Sequence, residues 1–180
     1  MKTQETKWAI DPSHSKVSFK VKHLMISNVI GHFGEFEGTA LTAGDDFSTA
    51  AINFSINAAS VSTEIADRDA HLKSADFFDA EKYPKINFAA TGMKDLGDEM
   101  YEITGDLTVK EVTKSVTLTV EFGGVMTDPW GNVKAGFSLS GKINRKDWGL
   151  NWNAALEAGG VLVGEEVKIT ADIELAKVAS

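Results

Sequence analysis

The 180-residue chain contains no cysteine. That excludes disulfide staples, thiolate metal sites and a cysteine nucleophile. Proline is nearly as scarce. Pro12, Pro84 and Pro129 are the only three, and each falls near a strand boundary, where a missing N–H does no harm. Positive charge is also in short supply, with 18 Lys and Arg against 26 Asp and Glu and a net charge of −8. A surface of that sign repels phosphates, which excludes nucleic acid as a partner. No apolar run approaches the ~20 residues of a membrane-spanning helix. The opening MKTQETKW is polar and lacks the apolar core of a secretory leader. As the sequence stands the expected location is cytoplasmic, or periplasmic if a leader has been removed.

Catalytic signatures are missing as well. There is no Walker loop, and the glycines of GHFGEFEG do not fit a dinucleotide fingerprint. The GFSLS run from Gly136 falls short of a nucleophile elbow and sits in a strand pattern. No HExxH zinc helix occurs. These absences favour a binding protein over an enzyme.

What the chain has is alternation. Val17, Phe19 and Val21 alternate with Ser18, Lys20 and Lys22, and Ile52, Phe54 and Ile56 with Asn53, Ser55 and Asn57. The same period recurs at Tyr101, Ile103, Leu107 and Val109, and at Val116, Leu118, Val120 and Phe122. It recurs again at Val133, Ala135, Phe137, Leu139 and Ile143, and at Val167, Ile169, Ala171, Ile173 and Leu175. Such stretches are strands with one apolar face. Turns are expected at Gly97 and Asp98, at residues 110–114, at Gly123 and Gly124, and at residues 128–132. Glycines 31, 34 and 38 lie among Phe33 and Phe36 and predict one long bent strand over residues 29–41. About eight strands in antiparallel succession, with bends, predict a barrel. With 43% hydrophobic residues the chain supports one domain, placed at 7–177 after a disordered tail of residues 1–6.

Three segments interrupt the alternation. Residues 23–28 read as a helical turn. Residues 67–80 read as a helix capped by Asp67, with Leu72, Ala75 and Phe78 on the packed side, and Pro84 ends it. Residues 144–160 carry Trp148 and Trp152 in NRKDWGLNWN. His71 lies four residues from Asp67, so the pair is either a metal-holding couple or part of a helix-face charge cluster. Arg68 and Arg145 each have two readings: a structural tie to a barrel carboxylate, or a donor for a ligand's polar head. His23 and His32 read as structural. An eight-stranded barrel is either packed shut or just wide enough for one small ligand. Phe19, Phe33, Phe36, Phe54, Phe77, Phe78, Phe88, Phe137, Trp148 and Trp152 are therefore cavity linings or ordinary core.

At this level four motifs resemble one family. The run from Asp67, DRDAHLKSADFFDAEKYPKINF, looks like the hallmark of the YceI-like proteins. IDPSHSKVSFKVKHLMISNVIGHF matches the N-terminal pattern, GDLTVKEVTKSVTLTVE the central hairpin, and NRKDWGLNW with VGEEVKI the C-terminal part. The resemblance implies a lipocalin-like antiparallel β-barrel with a short helix insertion. It also implies a long apolar cavity for a polyisoprenoid or prenyl-quinone-like chain, serving storage, transport or protection under stress. Many members are exported, and dimers are common. No cofactor beyond the bound lipid is expected, nor any metal. Leu72, Phe77 and Phe78 would be the helix segment's contacts with the ligand. Arg68, His71, Asn144 and Arg145 would form a polar mouth or brace the cap. Two alternatives stand beside this: a metal-assisted hydrolase or isomerase built on Asp67 and His71, and an interaction protein with a solid core.

Overall fold

The computed structural model describes residues 4–154, 156 and 160–178. Residues 1–3 of the expected tail, and residues 155 and 157–159 of the tryptophan-bearing segment, lie outside the described residues. The strands are β1 (Glu5–Ile10), β2 (Lys16–His23), β3 (Ser27–Phe33), β4 (Phe36–Ala43), β5 (Asp46–Asn57), β6 (Val61–Ser62), β7 (Lys85–Gly97), β8 (Met100–Val109), β9 (Val112–Thr127), β10 (Val133–Asn144) and β11 (Val163–Lys177). One α-helix, α1 (Ala66–Lys73), is inserted between β6 and β7.

All pairings are antiparallel. The order β4-β5-β7-β8-β9-β10-β11 is closed by β1, which pairs with both β11 and β4. β2 prolongs β1 along β11, and β3 prolongs β4 along β2. β6 likewise prolongs β5 beside β3. Eleven segments thus make the eight staves of a closed barrel, and closure leaves no free sheet edge. The alternating apolar positions face inward, as their period requires. They form two continuous clusters, one around Val17, Phe33, Val61, Val116 and Trp148 and one around Trp8, Phe47, Ile103, Val120 and Phe137.

Several local expectations are corrected. Glu5 and Thr6, assigned to the tail, pair with Ala43 and Thr42 in the barrel wall. The long strand over 29–41 is broken at Gly34 and Glu35. There Gly34 N–H donates to Ser60 O, and Asn57 N–H to Glu35 O, so the two residues bond outside their own ladder. Residues 23–28 form the β2–β3 hairpin rather than a helical turn, with Leu24 and Met25 at φ 53° and 62°. The β7–β8 turn is Asp98 and Glu99, since Gly97 still pairs with Met100. The β8–β9 turn needs only Lys110 and Glu111. Gly123 and Gly124 are no reversal: β9 runs through them with a register shift against β10.

The helix is shorter than its periodicity suggests. It ends at Lys73, where Ser74 N–H bonds His71 O, and Phe77 and Phe78 follow in tight turns. Ala75, expected on the packed side, is exposed. Asp67 makes no cap. Ile65 holds the capping position with no side-chain bond, and Asp69 Oδ1 instead accepts from Thr63 N–H (2.7 Å) and Thr63 Oγ1–H (2.6 Å).

Candidate functional site: an apolar cavity along the barrel axis

The inward side chains leave the barrel hollow. A cavity of about 420 Å³ lies inside it, within the size range of small-molecule sites. On β11 its wall extends from Val163 to Leu175. That is roughly 40 Å along a strand, or about 30 Å along the axis of a tilted barrel. The wall is almost wholly hydrocarbon.

Two glycines explain why phenylalanines do not fill this space. Phe19 pairs across the strands with Gly31, and Phe54 with Gly38. A Cβ built on Gly31 would stand 2.3 Å from Phe19 Cζ, and one on Gly38 would stand 2.7 Å from Phe54 Cδ2. Both rings therefore lie against bare backbone, occupying the place of a missing side chain instead of the lumen.

The two ends of the cavity differ. At the end bearing the β4–β5, β7–β8 and β9–β10 turns, Phe47 packs on Trp8 (5.0 Å between centroids), Phe122 (5.5 Å) and Phe137 (4.9 Å). Trp8 is 0% exposed and its Nε1–H donates to Thr42 Oγ1 at 3.0 Å. Thr42 passes its own proton to Gly44 O at 2.6 Å. The polar edge of the indole is thus satisfied inside a dry plug.

At the other end the wall is made by the β2–β3 hairpin, α1 and the 145–154 segment. His71 Nε2 meets Asp76 Oδ2 at 2.8 Å, and its ring meets Trp152 (4.5 Å) and Phe77 (5.1 Å) edge to face. Arg68 donates from Nε to Thr63 Oγ1 (2.7 Å) and from Nη2 to Thr63 O (2.8 Å). It pins α1 to β6 through Thr63 rather than through a barrel carboxylate. Arg68 is also among the residues that line the cavity.

Arg145 is buried at 4% exposure. Its guanidinium donates to four backbone carbonyls: Gly164 (2.8 Å), Leu150 (2.5 Å), Trp152 (2.9 Å) and Val163 (3.3 Å). Burial pushes its pKa below the ordinary guanidinium value, while Glu165 pulls the other way. Among the described residues no carboxylate is a hydrogen-bond partner of Arg145, and backbone carbonyls take the place of the expected acid. This one side chain fixes the path of the segment that follows β10.

The cavity wall includes Phe19, Phe33, Phe54, Leu72, Phe77, Phe78, Phe88, Phe137, Trp148 and Trp152, together with Arg68, His71 and Arg145. Two expected members are elsewhere. Phe36 sits beside the break at Gly34 and Glu35, packs against Phe54 at 5.9 Å and does not reach the cavity. Asn144 is exposed and accepts from Lys146 N–H at 3.0 Å, so its side chain caps a turn of 3-10 helix. Sequence reasoning also missed Phe47 and the aliphatic wall, such as Ile10, Leu139 and Leu175. The inward parity of Leu139 and Leu175 was the available signal.

The catalytic alternative loses its geometry. His71 pairs with Asp76, not with Asp67, and Asp67 is exposed outside the wall. Asp11, His14 and Glu174 bring ligating atoms within 4.8 Å of one another. Lys134 Nζ already stands 2.9 Å from Asp11 Oδ2 and 3.8 Å from Glu174 Oε1, so an ammonium supplies that cluster's positive charge.

Fold and cavity together define a lipocalin-like barrel whose interior is built for an apolar guest. The chain belongs to the YceI-like family, whose domain model matches residues 8–175. It is 39% identical over 170 residues to a UPF0312 protein of Staphylococcus aureus, covering 94% of this chain and 96% of that one. A Campylobacter jejuni YCEI protein superposes with a TM-score of 0.72 at 33% identity, covering 89% of this chain and 91% of the other. A polyisoprenoid binding domain from Saccharophagus degradans, implicated in plant cell wall breakdown, shares the fold with a TM-score of 0.74. It is 12% identical, covering 95% of this chain and 98% of that one.

Proposed function

We propose that this protein holds a polyisoprenoid or prenyl-quinone-like chain in its barrel, for storage, transport or protection of that lipid. The observation that carries the reading is the cavity itself: long, narrow, lined by hydrocarbon and kept open by rings laid on glycine backbone. Each buried CH₂ contributes about 0.8 kcal/mol, so a five-carbon unit contributes roughly 4 kcal/mol at most before ordering costs. Several units threaded along the axis would offset those costs. The polyisoprenoid-binding neighbour with the same fold supports the choice of guest.

In this reading the closed plug receives the tail. The head group rests at the helix end, where Arg68 has N–H groups to spare and His71 and Trp152 form the lip. Arg145 braces that lip through four carbonyls. Family and wall chemistry both favour binding over catalysis. The test is uptake by delipidated protein, followed by native mass spectrometry with prenyl quinones and prenyl alcohols. A bound mass of one lipid per chain is expected. Failure to take up any of them would overturn the proposal.

A further inference from the structure

Three hairpins of this barrel turn on two consecutive non-glycine residues at positive φ: Leu24 and Met25, Asp98 and Glu99, and Lys110 and Glu111. Such turns favour Asn and Gly, because a side chain strains the left-handed backbone. Two of the three compromise with charged residues that water welcomes. The β2–β3 hairpin instead places leucine and methionine there and follows them with Ile26. Leu24 is 39% exposed, Met25 60%, Ile26 82% and, on the outer face of β3, Ile30 64%. The tip is strained and largely exposed, with Met25 Sδ laid over the bare backbone of Gly160.

Its position supplies the missing reason. Leu24 N–H bonds Leu162 O at 2.9 Å, and Leu162, Val163 and His23 line the cavity at the helix end. The apolar tip and the half-exposed Val161 are therefore the rim of the lipid cavity. Trp130 and Met126 are as exposed at the opposite end, but no residue from 121 to 136 lines the cavity, whereas Lys22 and His23, next to the tip, do.

The charge behind this rim runs against the charge of the chain. On the outer face Lys20 pairs with Lys168, and Lys168 with Lys142. Like charges directly opposite destabilise a sheet. Lys142 has Glu166 at 3.4 Å, whereas Lys20 and Lys168 have no ion-pair partner among the described residues. Lys22 and Lys20 stand two and four residues behind Leu24, roughly 7 and 13 Å. At physiological salt, where the screening length is about 8 Å, Lys22 lies within that length of a surface touched by the tip, and Lys20 adds a weaker, partly screened attraction from beyond it.

We propose that the β2–β3 hairpin is a membrane-docking element that lays the cavity mouth on an anionic bilayer. Leu24, Met25 and Ile26 enter the acyl boundary, and the Lys20–Lys168–Lys142 row and Lys22 face the headgroups. An isoprenoid chain would then pass between bilayer and barrel without crossing water. The purpose rests on the lipid-carrier reading above, but the docking does not, and the two are tested apart.

The experiment is flotation of delipidated full-length protein with phosphatidylcholine vesicles, with and without phosphatidylglycerol. Wild type is expected to float with the anionic vesicles. The double variant Leu24→Asn/Met25→Gly gives the turn its preferred residues, so it should fold at least as stably. It should nevertheless lose vesicle binding by more than about tenfold. Lys20→Glu/Lys168→Glu should weaken the preference for phosphatidylglycerol. Prenyl-quinone uptake from detergent should be unchanged in the lysine variant, since neither Lys20 nor Lys168 lines the cavity. If the two variants dock normally, or if wild type does not float, the inference is overturned. It is equally overturned if ultracentrifugation shows the tip joining two copies in a dimer that the first variant dissolves. Vesicle binding without isoprenoid uptake would overturn the proposed function and leave the docking intact.

Discussion

The two ends of this barrel use similar residues for opposite purposes. At the plug, Trp8, Phe122 and Phe137 all pack on Phe47, and Phe122 stacks on Phe137. Farther along, Phe19 and Phe54 face glycines and lie flat, and the space between them stays open. At the helix end, aromatics share the wall with Arg68, His71 and Arg145. An inward phenylalanine is therefore neither core nor cavity by nature. The residue opposite it decides.

The largest expected contrast is between two tryptophans. Trp8→Ala should destabilise the fold by about 3–5 kcal/mol, because it empties a fully buried site and removes the donor to Thr42 Oγ1. Trp152→Ala, at the half-exposed lip, should lower stability by only about 1–2 kcal/mol while speeding loss of bound lipid. Denaturant unfolding and lipid release on the two variants check this. Equal losses of stability would erase the distinction between plug and lip.

Arg145→Met should come next, at about 3 kcal/mol, since it takes a donor from the carbonyls of Leu150, Trp152 and Gly164, while Val163 O keeps Asn153. Hydrogen exchange should show the opening confined to the 145–154 segment and the start of β11. Gly31→Ala should follow. Its methyl group would drive the Phe19 ring off the wall, at a cost of about 1–3 kcal/mol, with a clear fall in lipid capacity. A variant with unchanged capacity would show that the flat ring is not what keeps the lumen open.

The smallest effect belongs to the outer wall. Hydrogen bonding to Lys134, then to Ser13 and His14, holds the Asp11 carboxyl well below the usual carboxylate range. Its contribution is present above the ordinary carboxylate pKa of about 4 and is lost as pH falls below that. The hydrogen bond to Asp11 raises the His14 pKa, so that contribution is full below the ordinary histidine value of about 6.5 and fades as pH rises through the raised one. Asp11→Asn should flatten the acid limb of the stability curve measured by thermal melting.

Much of this was legible in the chain. Period two identified the inward residues of β2 and β8 to β11, because side-chain direction in a strand follows strict alternation. Four motifs pointed to the family and its barrel. The errors arose where alternation stops. Phe36 stands just past the break at Gly34 and Glu35, which turns it away from the cavity. Asn144 is taken by a local capping bond, a use its side chain has in many sequences. Arg145 was expected to meet a carboxylate, but carbonyls from residues 150–164 satisfy it, and their convergence is a tertiary fact. Helix spacing carried α1 past Lys73, where Ser74 and the turns at Phe77 and Phe78 end it. The pairings of Phe19 with Gly31 and Phe54 with Gly38 depend on register, which sequence alone left open.

The central claim is that the lumen is hollow and takes a polyprenyl chain. It is tested most directly by native mass spectrometry of the freshly purified protein beside Ala171→Phe. Ala171 is half-buried on the cavity wall, so a phenyl ring there would fill the lumen without touching the plug, the lip or the docking hairpin. Wild type should carry a lipid-sized mass that organic extraction removes, and the folded variant should carry none. A wild-type protein without such a mass that also refuses prenyl lipids, or a variant that binds as wild type does, would contradict the account.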